Sequence, residues 1–358
     1  MSQVIAVSAA VKPADRPGVL AVARANEWWV GKFSPVLATF YATASLVGRP
    51  LLPLLGHLVL LLLSLLVGAV YVSVLNDWTD LPDDTVAGKT NRLAGRSPAF
   101  IGGVLGSCVL LGGGFGYYFW ELSPQSALLY LGAWVVYSLY SLPPARLKAR
   151  GLAGVLADAG GAHLFPQLLT VSVVGQWTGQ PVPTAWWLAV GGWALTCGVH
   201  NILWHQLSDA DADAQAQVDT FVLRQGVRRA QYLGQWVVFP MEIAAFGVML
   251  VSNYNEWALG LLGVYAGLEW CRWHVYGHQP QVLAPSARVV LSDYYQFFYP
   301  LAFLVTQSLR SPPDGALLGL HLLWFGRYAW QFVREGRVYC QVLLRKLLPR
   351  LGPGGPRG

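Results

Sequence analysis

The sequence predicts an all-α integral membrane protein, a bundle of about nine transmembrane helices around a central cavity open to the cytoplasmic side. Three observations lead there. Of 358 residues, 54% are hydrophobic and only 12% charged, well under the roughly 25% charged residues of a soluble domain. Apolar runs such as 51–75 reach the roughly 20 residues needed to cross a bilayer. Lys and Arg gather in alternate connections, as they do in a chain that weaves back and forth through a membrane.

Taken in order, the apolar segments fall near 34–54, 55–75, 98–119, 125–142, 152–175, 185–206, 229–252, 256–271 and 289–308. A tenth, 314–333, carries Arg327 in its middle and either crosses or lies at the interface. Basic residues mark the N-terminal segment (Lys12, Arg16, Arg24, Lys32). They mark four connections as well: Lys89, Arg92 and Arg96; Arg146, Lys148 and Arg150; Arg224, Arg228 and Arg229; Arg272 and Arg288. The intervening connections hold only Arg49 and Arg310. The positive-inside rule therefore puts the N-terminus in the cytoplasm, and the basic run from Arg334 puts the C-terminus there too, in what reads as a bacterial inner membrane. The expected organisation is an N-terminal cytoplasmic segment (1–25), a transmembrane domain (26–310), an additional C-terminal helical segment (311–345) and a disordered tail (346–358). Residues 1–25 lack the continuous apolar core of a cleavable signal.

The net charge of +6 reads as topology and contact with anionic headgroups, not nucleic-acid binding. Four scattered cysteines in or beside apolar runs suggest packing, not disulfides or a zinc site. The 16 Trp and 16 Tyr suit interface belts, and some of them a cavity wall.

Chemistry concentrates where the apolar runs end. Asn76, Asp77, Asp80, Asp83 and Asp84 follow the second run, and on a continuing helix they fall within an arc of about 120°. Carboxylates at that density repel one another unless cations intervene, and hard divalent ions take oxygen ligands shared with substrate phosphates. Pro82 argues the other way, because proline ends most helices. Lys89 and Arg92 follow, suited to the far side of a diphosphate. Asp209 and Asp213, four apart, form a second pair after the sixth run, while Asp211 points away. Four spans separate the clusters, so both return to the cytoplasmic face and can meet across one cavity. Arg146 and Lys148, after Pro143-Pro144, suit either phosphate oxygens or simple anchoring. Tyr140 suits a belt or the stabilisation of a carbocation. Asp158 and His163, inside the fifth span, and His205, one turn before Asp209, are candidates for the cavity wall.

Asn76-Asp77-x-x-Asp80-x-x-x-Asp84 resembles the first Asp-rich motif of the UbiA superfamily of intramembrane prenyltransferases, and Asp209-x-x-x-Asp213 resembles the second. Tyr140-Ser141-x-Pro143-Pro144-x-Arg146-x-Lys148 is similar to the family's loop between spans four and five. Arg24-x-Asn26-x-Trp28-x-x-x-Lys32-x-x-Pro35 is similar to the beginning of its first helix. The resemblance implies nine spans around a capped cavity, two Mg²⁺ ions and an isoprenyl diphosphate donor. Its allylic C–O bond ionises before a lipophilic acceptor (aromatic, quinone precursor or other) attacks. On that footing Asn76, Asp80 and Asp84 would hold one ion with Asp77 in support, and Asp209 and Asp213 the other. Lys89, Arg92, Arg146 and Lys148 would contact diphosphate, with Lys32 and Asn26 secondary. The usual Gly after the second motif is replaced within Ala214-Gln215-Ala216-Gln217, which leaves the subfamily open. A terpene cyclase using the same metal site and a phosphoribosyl transferase acting on a polyprenyl phosphate remain alternatives. A transporter is disfavoured, since paired acidic clusters repel anions unless metals are present.

Overall fold

The computed structural model describes residues 29–351 apart from 87, 216, 286 and 287. Asn26, one of the expected phosphate contacts, and the segment 1–25 lie outside them. Among the described residues the only β pairing is an isolated bridge between Gln281 and Val289, and all else regular is helix.

Helix α1 (Ser34–Leu46) is buried from Ser34 to Ser45 and forms the spine of the bundle. Around it lie α2 (Leu55–Val86), α3 (Pro98–Leu122), α4 (Pro124–Ser141), α5 (Leu152–Ala159), α6 (Phe165–Thr178) and α7 (Thr184–Ser208). Two short helices, α8 (Ala210–Gln215) and α9 (Phe221–Gln225), then lead into α10 (Val227–Leu233), α11 (Phe239–Ser252), α12 (Glu256–Tyr276) and α13 (Tyr299–Arg310). The chain closes with α14 (Gly315–Trp324) and α15 (Gly326–Leu351). α1 packs against α6 and α13, α2 against α3 and α4, and α7 against α5 and α11. Among the described residues, three helical stretches, Leu52–Val86, Pro98–Leu122 and Val227–Ser252, are by length and composition apolar enough to cross a membrane.

Proline sets the detail of this bundle. It ends no long helix from within; it widens the turn before it. Each of four π turns, Trp29–Phe33, Gly160–Leu164, Gly234–Val238 and Tyr294–Phe298, stands just ahead of Pro35, Pro166, Pro240 or Pro300. The proline ring displaces the carbonyl four residues back, so the preceding turn closes one residue later. Phe165 N–H accordingly donates to Gly160, Phe239 N–H to Gly234 and Tyr299 N–H to Tyr294. At the other two positions of note, Pro98 and Pro124 sit in the first turn behind capping Ser97 and Ser123, where a missing N–H costs nothing.

Several boundaries differ from expectation. The first span ends at Leu46, not 54, because Gly48 adopts φ +68° and turns the chain before Pro50. Helix α2 runs through Pro82 to Val86. Pro82 leaves the Trp78 carbonyl without its helical donor, but the neighbouring Asp77 carbonyl accepts from Asn91 Nδ2 at 2.7 Å, which braces the last turn from outside. The tenth segment is not one helix over 314–333; it breaks at Phe325 into α14 and α15. α15 continues to Leu351, past position 346 where a disordered tail was expected, and leucines at 343, 344, 347 and 348 repeat at helical spacing there. The 311–345 segment is tied to the bundle. Buried Asp314 accepts from the Leu51 and Leu52 amides at 2.8 and 2.7 Å, and Arg272 pairs with Glu335 at 2.6 Å.

Candidate active site

The ends of α2 and α7 face each other across a cavity of about 600 Å³. From α2 and its following loop its wall takes Asn76, Asp80, Asp83, Asp84 and Lys89. The α7–α8 corner supplies His205, Asp209 and Asp213, and the α4–α5 region supplies Tyr140, Lys148 and Asp158. The two acidic clusters, separated by 125 residues between Asp84 and Asp209, thus share one space. Asp209 closes α7, and its carbonyl accepts from the Asp213 amide at 2.9 Å, so the helical relation between the pair survives the break between α7 and α8. Asp211 is exposed and outside the wall.

Cations thread between the carboxylates. Lys148, 7% exposed, pairs with Asp80 and lies 3.4 Å from Asn76 Oδ1, which also accepts from Ser141 Oγ at 3.3 Å. Arg146 pairs with Asp83 and reaches Asp80 at 3.4 Å. Its backbone sits at φ +35°, a strained conformation for a side chain this large, of the kind that gathers at functional sites. Lys89 crosses to the other cluster and divides its ammonium between Asp209 (3.3 Å) and Asp213 (3.7 Å). Burial pushes the Asp213 carboxyl above its ordinary value; Lys89 opposes this and the charge of Asp209 adds to it. Lys148 opposes it more weakly.

Not every expected residue joins the wall. Asp77, expected among the metal ligands, is 1% exposed and is not part of the cavity wall. Arg92 lies outside the wall, and Arg146 reaches it from behind through its ion pairs. Lys32 is deeper, beside His163. Conversely, Asp83 is part of the wall, and Asn91 does work that sequence did not signal. One side-chain amide donates to the Asp77 carbonyl and to Asp84 Oδ2, both at 2.7 Å, while its oxygen accepts from the Leu93 amide at 2.9 Å. Asn91→Ala is expected to weaken divalent-ion affinity about 10- to 100-fold by freeing Asp84. The concentration of Mg²⁺ giving half-maximal turnover measures it.

Asp158, Ile202 and His205 also line a second, apolar chamber of about 320 Å³. Its walls include Phe33, Tyr130, Trp134, Tyr137 and Phe165. Glycines let these rings in. A Cβ on Gly161 would come within 2.7 Å of the Tyr137 ring, and one on Gly132 within 2.9 Å of Phe165. Polar cavity and apolar chamber are therefore two halves of one space with a common doorway.

The donor set suits a hard divalent cation: carboxylate and amide oxygens dominate, with one imidazole (His205) and no thiolate in the wall. Among the described residues no three His, Cys, Asp or Glu side chains converge closely enough to chelate a metal by themselves. Mg²⁺ is commonly held by one or two carboxylates together with water and substrate phosphates.

The sequence model of the UbiA prenyltransferase family matches residues 34–299. Among solved structures, the fold is similar to a UbiA homolog from Archaeoglobus fulgidus bound to GPP and Mg²⁺, at 17% identity and a TM-score of 0.51, over 84% of this chain and 99% of that one. The same homolog bound to DMAPP and Mg²⁺ aligns at 15% identity and a TM-score of 0.52, over 81% of this chain and 98% of that one. No curated protein sequence gives a significant match.

Proposed function

The chain belongs to the UbiA prenyltransferase family and is a membrane prenyltransferase, and from that premise we propose that it transfers an isoprenyl group from an isoprenyl diphosphate to a lipophilic acceptor, dependent on Mg²⁺. The observation that carries this reading is the doorway: a carboxylate-lined cavity joined to an aromatic-walled apolar chamber. A molecule with a diphosphate head and a hydrocarbon tail fits that division of polarity.

Asn76, Asp80 and Asp84 would hold one Mg²⁺ and Asp209 and Asp213 the other. The ions would supply Lewis-acid neutralisation of the leaving diphosphate. Lys148 and Lys89 add fixed positive charge from opposite sides of the cavity, and Arg146 holds Asp80 and Asp83 in place. Tyr130, Trp134 and Tyr137 line the chamber, where aromatic rings would steady an allylic cation. Apolar walls keep water from that cation.

By the positive-inside rule the acidic cavity opens to the cytoplasm, with both termini on that side of a bacterial inner membrane. The prenyltransferase unit spans 26–310, and 311–345 is an added segment held by Asp314 and Arg272.

The test is purified protein incubated with geranyl, farnesyl and geranylgeranyl diphosphates, with and without a panel of lipophilic aromatic acceptors, with Mg²⁺ or with chelator, and products read by mass spectrometry. Expected is diphosphate release from at least one donor that chelator abolishes. Donors left intact, or consumed equally with chelator, would overturn the reading. A cyclic hydrocarbon formed without acceptor would mark a cyclase instead.

A further inference from the structure

The doorway between the two halves carries more ionisable groups than diphosphate binding requires. Asp158 on α5 lines both spaces. It interacts electrostatically with Lys32 and His205 and hydrogen-bonds to the Tyr137 side chain. Lys32 Nζ donates to His163 Nε2 at 2.8 Å, and Asn201 Nδ2 approaches the same nitrogen at 3.5 Å. With Nε2 accepting, His163 is neutral and its proton is on Nδ1.

This cluster is positioned by the backbone. Lys32 stands in the π turn ahead of Pro35 and His163 in the π turn ahead of Pro166, so two proline-induced bulges bring together side chains 131 residues apart. π-bulges recur at functional sites because they re-aim a side chain without ending a helix. A group needed only to neutralise a buried charge would be packed away. Asp158 instead faces the cavity, and His205 beside it is open to the same space.

Position decides the role. The donor's C1 joins diphosphate to hydrocarbon, so in the bound donor C1 must lie at the doorway between the acidic cavity and the chamber, beside Asp158. A base at that point has no use for the tail and none for the phosphates. It is placed for whatever attacks C1. We propose that Asp158 is the catalytic base for a hydroxyl-bearing acceptor, accepting the hydroxyl proton as the acceptor bonds to C1; this rests on the prenyl-transfer reading above. The acceptor's electron pair forms the new bond to C1. The C1–O bond breaks with its pair leaving on the diphosphate, and the hydroxyl proton ends on the Asp158 carboxylate. Lys32, held by His163, and Tyr137 keep that carboxylate oriented toward the doorway. The substrate class follows: a lipophilic phenol or alcohol, whose hydroxyl proton is the one this base can take.

The test uses the full chain with Mg²⁺, geranyl diphosphate and paired probes: 1-naphthol and 1-decanol against their methyl ethers. Expected is prenyl transfer to at least one hydroxyl probe and to neither ether. Asp158→Asn should lower that transfer about 10²- to 10⁴-fold, and Asp158→Glu should restore part of it. Geranyl diphosphate affinity should stay within about threefold in both variants, which also establishes that they are folded. The inference is overturned if Asp158→Asn transfers at the unaltered rate, if the ethers serve as well as the hydroxyl probes, if no hydroxyl probe is prenylated while donor is consumed, or if affinity falls together with transfer. Failure of the unaltered protein to bind or consume any donor would instead refute the prenyl-transfer reading itself.

Discussion

Replacing Asp80 by Ala should lower donor turnover by about 10³-fold or more at saturating Mg²⁺, the order expected when a charge-stabilising group is lost from a desolvated site. Asp80 is the point where the first cluster and its cations meet: Lys148 and Arg146 both reach its carboxylate, and it lines the cavity between Asn76 and Asp84. Asp209→Ala should have a comparable effect from the other side. Asp211→Ala is the matched control. It removes an equal charge from an exposed position two residues from Asp209 and should leave turnover within about twofold. Turnover is read as diphosphate released. Equal rates for Asp80→Ala and the unaltered protein would remove the first cluster from the chemistry.

Lys148→Ala should cost about 10²- to 10³-fold in kcat/KM. Its ammonium is nearly buried and sits among Asn76, Asp80 and the cavity, where a leaving diphosphate gains charge. Without it, Asp80 keeps only the longer contact to Arg146, so the variant should also melt at a lower temperature unless Mg²⁺ and donor are present. Ligand-induced recovery of the melting temperature separates a binding defect from simple unfolding. Arg at this position should not restore full activity, because a planar fork does not replace a compact point charge in so confined a place. A Lys148→Ala protein with unchanged kcat/KM would show that the residue is a membrane anchor only.

Much of this architecture was legible because it follows from strong local signals. Apolar runs give most of the helices, and an even number of runs between the two acidic segments lets both reach one cavity. Helical spacing groups Asn76, Asp80 and Asp84, and separates Asp209 and Asp213 from Asp211; the five grouped residues line one cavity. What escaped was information spread over long separations. Pro82 reads locally as a helix terminator, and only Asn91, fourteen residues from Asp77, explains why the helix continues. Asp77 and Asp83 sit at opposite edges of the same arc, and spacing alone does not decide which edge faces the cavity. The prolines at 35, 166, 240 and 300 were visible, but their effect is a widened turn instead of a break. The meeting of Lys32 with His163 depends on two such turns at once. The break at Phe325 is followed directly by Gly326, a glycine just past a helix end that apolar content across 314–333 outweighed in the sequence. With Arg272 and Glu335 drawing α15 onto the end of α12, tertiary contact sets the direction of the last helix.

The most direct measurement is a structure determined with Mn²⁺ and an unreactive thio-analogue of geranyl diphosphate, with the metal located by anomalous scattering. Expected are metal peaks at Asp80 and Asp84 and at Asp209 and Asp213, the diphosphate between them, and the geranyl chain in the chamber beside Trp134. Diphosphate bound elsewhere, or bound in this cavity with neither acidic cluster holding metal, would contradict it.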